Sequence, residues 1–179
     1  MAHDGRRGTA SIPRPSAPLV SPDPTLRHAL KHVSRLFQSE LRYRLAQHGV
    51  SEAEYMTLFA LRRLPNMSSA DLARWTGVSA QSANQVLKAL IDAGLVERRS
   101  SSSHGRILEA RLTRKGHRVI AACEEEADSV EQLMCSGMAP GEIDQFEELL
   151  RKAATGLGAP IGSGAPLTRR WHTAMLGDA

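Results

Sequence analysis

Residues Ser68 to Arg99 read SSADLARWTGVSAQSANQVLKALIDAGLVERR. This stretch predicts two short helices joined by a tight turn and followed by a basic strand. Ser68 is a good N-cap residue, and Asp71 three positions later completes a capping-box pattern. Leu72, Ala73 and Trp75 give the first helix an apolar side, with Trp75 expected in the core. Gly77 stands where a helix C-terminus needs a positive φ, Val78 fills the turn, and Ser79 is a second N-cap. Ala83, Val86, Leu87 and Leu90 then recur at i, i+3, i+4 and i+7, which marks one buried face. Gln81, Gln85 and Lys88 occupy the opposite face, with Asn84 on its flank. The pattern is that of a helix-turn-helix, whose second helix enters the major groove of DNA.

On the N-terminal side, Thr25 to His48 predicts a long helix. Leu26, Leu30, Val33, Phe37, Leu41 and Leu45 form one stripe along it, and Ala29, Leu36 and Tyr43 a second, partial one. Two apolar sides call for two packing partners, the chain's own core and a second subunit. Ser51 to Leu64 predicts another helix, opened by a Ser51–Glu54 capping box with Val50 set to staple onto Tyr55. Met56, Leu58, Phe59 and Leu61 supply its core side, and Pro65 ends it.

On the C-terminal side, Leu95 to Arg99 and Arg106 to Leu112 predict two strands around a polar tip, Ser100 to Gly105. A hairpin directly after a helix-turn-helix makes a wing. Thr113 opens a helix running to about Cys135, and Pro140 takes the first-turn position of a last helix. The ends are different in kind. Residues 1–24, with five prolines, predict a disordered arm, and residues 159–179 a flexible tail.

Charge is distributed to match. Arg62 to Arg118 holds 11 Lys/Arg against 4 Asp/Glu, a net +7, whereas Val119 to Gly158 holds 2 against 9, a net −7. A basic block over the helix-turn-helix and wing is the electrostatic footprint of a nucleic-acid face. No apolar run approaches the roughly 20 residues that cross a bilayer, and the N-terminus lacks an apolar signal core. A cytoplasmic protein without disulfides is expected. The sequence contains no GxSxG, P-loop, GxGxxG or HExxH pattern, so no enzyme is expected. No cofactor or metal is expected either: His28 and His32 share a helix face but lack a third ligand.

The order of elements from Thr25 to Gly158 resembles the MarR family of bacterial winged-helix regulators. LARWTGVSAQSANQVLKALIDAGLVERR and LTRKG (Leu112 to Gly116) carry the likeness, in the right order around a wing of the right length. The family wing usually has an Asp two residues before its Arg, where this chain has His104. The resemblance implies a mainly α fold with a small β-wing. It implies a winged-helix domain over 25–158, with a DNA-binding lobe at about 51–115 and dimerisation helices at about 25–48 and 113–158. It further implies a homodimer on an inverted-repeat operator in double-stranded DNA, and a small aromatic or other small-molecule effector that releases a repressor.

Candidate DNA-binding residues follow. Gln81, Gln85 and Asn84 can make bidentate contacts to adenine. Ser79 opens the reading helix, and Ser82 and Lys88 are expected to reach phosphate. Arg74, Arg98 and Arg99 are expected to position the duplex through phosphates, and Arg106 to enter the minor groove from the wing. Two alternatives stand beside this reading: a winged-helix module that binds protein, and a cysteine-based redox sensor. Cys123 lies on an apolar stripe and is expected to be buried, whereas the place of Cys135 near a helix end leaves it open to exposure. On one helix their 12-residue separation is about 18 Å, too far for a disulfide.

Overall fold

The computed structural model describes residues 25–100 and 108–158. The arm, the tail and the wing tip with His104 and Arg106 lie outside the described residues. The elements are α1 (Leu26–Gln47), α2 (Glu52–Arg63), α3 (Ser69–Thr76), α4 (Ala80–Asp92), β1 (Val96–Ser100), β2 (Leu108–Leu112), α5 (Arg114–Cys135) and α6 (Pro140–Gly156). The fold class is therefore the expected one. Helices dominate, and the described strands form a single antiparallel pair.

The helix starts are fixed locally. Thr25 caps α1 by accepting from the His28 amide, and Ser51 and Ser68 each form a reciprocal box with the acid three residues on. Gly77 ends α3 at φ 71°, in the left-handed region where a Cβ is costly.

The chain forms two compact units that divide between Cys123 and Glu124, within α5. In the first unit, α2 packs against α1, α3, α4 and β2, and α4 against α3 and β1. Leu45, Leu58, Leu61, Leu72, Leu87, Leu90 and Ile120 are its largest fully buried side chains, together with Cys123. The strand register runs from Val96 opposite Leu112 to Ser100 opposite Leu108. Met67 joins as an isolated bridge, its carbonyl accepting from the Ala110 amide at 2.9 Å. In the second unit, Cys135 and Ile143 are buried together, with Met134 and Met138 packed on them.

Four sequence expectations are corrected. Cys135 is buried, at 4% exposure, because α6 returns over the end of α5 and Ile143 covers the thiol region. Met56 is exposed although it shares the stripe of α2, and Val86 of α4 is half-buried. Trp75 is 38% exposed; its ring leans on Phe59, centroids 6.0 Å apart, instead of entering the core. β1 begins at Val96, one residue late, because the Leu95 amide still donates to the Leu90 carbonyl of α4.

Candidate nucleic-acid interface

α4 is amphipathic in the way its sequence predicts. Ala83, Leu87 and Leu90 are buried, while Gln81, Asn84, Gln85 and Lys88 are exposed. Ser79 caps the helix by accepting from the Ser82 amide at 3.1 Å, and the two hydroxyls are 2.8 Å apart. Both serines are thus engaged in the helix start, and Ser82 is half-buried. Gln81 and Gln85 lie one turn apart with no hydrogen-bond partner among the described residues. Their amides retain both donor and acceptor capacity, as bidentate reading of adenine requires.

The cations around this face are mostly tethered. Arg74 pairs with Asp71, and Lys88 donates to Asp92 at 2.8 Å. That hydrogen bond, reinforced by the carboxylate's charge, holds the Lys88 ammonium above the ordinary lysine value. Arg99 Nε donates to Glu97 at 2.9 Å. Arg98 Nη2 donates to the Asn84 side-chain oxygen at 3.4 Å, which brings two candidate residues together across α4 and β1. All of these pairs are exposed, so each is worth little and can exchange for a phosphate. Asp71 itself sits below the usual carboxylate range, chiefly because the Ser68 hydroxyl and then the Ser68 amide donate to it.

Two features escaped sequence reasoning. The first is the role of LTRKG. Thr113 Oγ1 donates to the Gly94 carbonyl at 2.8 Å, Lys115 Nζ to the Ala93 carbonyl at 2.9 Å, and the Gly116 amide to Thr113 Oγ1 at 3.0 Å. The motif locks the start of α5 onto the end of α4. The second is a cavity of about 390 Å³ bordered by α2, the end of α3 and the first two turns of α4. Ala53, Met56, Val78, Ala83 and Val86 give it a mainly apolar wall.

Among the described residues no group of three or more His, Cys, Asp or Glu could hold a metal, and no helix is long and apolar enough to cross a membrane. His28 and His32 are occupied locally: their Nδ1 atoms lie 2.7 Å from Thr25 Oγ1 and 3.3 Å from Arg35 Nη2.

Comparison with known proteins agrees with this geometry. The MarR family profile matches residues 48–107. The HTH-type transcriptional repressor Rv2887 of Mycobacterium tuberculosis is 31% identical over 133 residues, covering 74% of this chain and 96% of the repressor. Its crystal structure in complex with DNA superposes with a TM-score of 0.63 at 27% identity, over 73% of this chain and 98% of that one. Its complex with salicylic acid superposes with a TM-score of 0.61 at 30% identity, over 75% and 99%. The chain is a member of the MarR family of winged-helix transcriptional regulators.

Proposed function

We propose that this chain is a homodimeric repressor that reads an inverted-repeat operator in duplex DNA and is released by a small molecule. The observation that carries the reading is the pair Gln81 and Gln85, exposed one turn apart on the outer face of α4 and unpartnered among the described residues. Arg74, Arg98, Arg99 and Lys88 are the exchangeable phosphate contacts of this reading, and the sequence adds Arg106 as a further candidate. The DNA complex of the Rv2887 repressor supports the partner, and its salicylic acid complex supports an effector.

Dimerisation is supported by α1. Leu26 is 86% exposed and Leu30 59%, Val33 continues the same apolar row, and Leu36 of the second stripe is exposed as well. A row of this kind leaves apolar surface in water unless a second copy covers it. In this reading 51–115 is the DNA-binding lobe, 25–48 and 113–158 are the dimerisation helices, and the protein works in the cytoplasm. No enzymatic step is required.

A gel shift on the DNA upstream of the protein's own gene tests the reading. A shift is expected at low salt, weakened at matched sites in Gln81→Ala and Gln85→Ala. Arg106→Ala is expected to lower the slope of log K against log salt by about 0.9 per lost phosphate contact. Absence of any shift at low salt favours the protein-binding module instead.

A further inference from the structure

The cavity beside α4 has a polar lining made mostly of hydrogen-bond acceptors. Four of its residues carry polar side chains: Glu52, Thr57, Thr76 and Ser82. The Thr57 hydroxyl already donates to the Ala53 carbonyl at 2.9 Å, and Thr76 to the Leu72 carbonyl at 2.7 Å. Each threonine hydroxyl has a single proton, so both present only lone pairs to a ligand. Glu52 adds a carboxylate, again an acceptor. Ser82 shares a hydrogen bond with Ser79 and alone has a proton that can be redirected. Among the described residues the lining contains no Lys, Arg or His. The positive end of α2 offers an anion little, because Glu52 and Glu54 both occupy its first turn. The remaining wall is apolar, and the soft thioether of Met56 suits an aromatic ring. A volume of about 390 Å³ is in the range of small-molecule sites.

We infer that this cavity takes a small aromatic molecule that is uncharged or cationic and donates hydrogen bonds, and that it rejects aromatic carboxylates. The inference rests on the reading of the chain as a ligand-released regulator and names the ligand class of that regulator. An anion here would meet Glu52 as a like charge and leave the threonine lone pairs facing its own. A phenol, benzylic alcohol or arylalkylamine satisfies the same atoms.

Titration calorimetry of the full chain with benzylamine, benzyl alcohol and benzoate compares three charges on one ring. Benzylamine and benzyl alcohol are expected to bind at least about tenfold more tightly than benzoate. Glu52→Gln is expected to shrink the benzylamine preference by about fivefold or more. Val86→Phe, which fills the cavity, is expected to abolish binding of all three; Ala53→Phe, at an exposed wall position, does the same should Val86→Phe fail to fold. Benzoate binding as well as benzylamine, in a manner blocked by either filling variant, overturns the ligand class while leaving the cavity as the effector site. Binding that neither filling variant touches, or none at all, overturns the site. A gel shift on the same preparations reads the regulator function separately.

Discussion

The guanidinium of Arg98 donates to the side-chain oxygen of Asn84 across the gap between β1 and α4. A candidate phosphate contact thereby holds one of the candidate base readers. The neighbouring Arg99 is tied to Glu97 within its own strand and touches no reader. The two arginines therefore differ in expected effect. Arg99→Ala should lower the salt slope by about 0.9 and weaken all sites alike. Arg98→Ala should lower it by about the same amount and also change the ranking of operator variants at the base facing Asn84, because Asn84 is released. Binding curves on a panel of single-base operator variants at several salt concentrations check this. An unchanged ranking in Arg98→Ala would separate Asn84 from reading.

Gly116 is buried in the first turn of α5 with the Leu95 carbonyl oxygen 2.1 Å from where a Cβ would stand. The clash is with backbone, so it cannot be relieved by a side-chain rotation. Gly116→Ala should destabilise the protein by about 2 kcal/mol or more, in spite of alanine's better helix propensity. The midpoint of urea unfolding measures the loss, and an unchanged or higher midpoint would contradict the close approach.

The Ser68–Asp71 box is sensitive to acid. The folded pKa of Asp71 is lowered, so its contribution is fully present above the unfolded value, about 3.9, and is lost as pH falls through the folded value. At pH 6, Asp71→Asn should be less stable than the parent by a few tenths to about 1 kcal/mol. That difference should shrink by pH 3. Ser68→Ala should cost about 1 kcal/mol at neutral pH. Chemical unfolding of each variant at the two pH values is the measurement, and a difference that grows on acidification would refute the assignment.

Burial, followed by the negative charges of Glu131 and Glu147, pushes the Cys135 thiol up. Cys123 is fully buried as well. Both thiols should react with a disulfide reagent at neutral pH at least about tenfold more slowly in the native protein than in urea, since the thiolate is the reactive form. Rapid native labelling of Cys135 would restore the redox alternative that its burial disfavours.

Much of this was legible in the sequence because it is local. The capping pairs Ser51–Glu54 and Ser68–Asp71 lie three residues apart, and the Ala83, Leu87, Leu90 row is one helix face. Even the tethering of Lys88 by Asp92 was available, at i, i+4 spacing. The misses are tertiary. Periodicity assigned Trp75 and Met56 to the core because it records which face a residue is on, not how far that face is covered. Cys135 is buried by a helix that begins five residues later. Asn84 and Arg98 are fourteen residues apart and meet only when the strand folds back on the helix. The wing tip with Arg106 stands on its sequence alone.

The seam between α4 and α5 behaves as a welded joint. The carbonyls of Ala93, Gly94 and Leu95 are all taken, by Lys115 Nζ, Thr113 Oγ1 and the Thr113 amide. Gly116 leaves no slack beneath them. A tilt of α4 therefore passes into the first turn of α5 through these bonds. The other end of α4 follows the turn at Gly77 and exposed Val78, and Val78 borders the cavity. An occupant of that cavity would lie against the end of α4 remote from this seam.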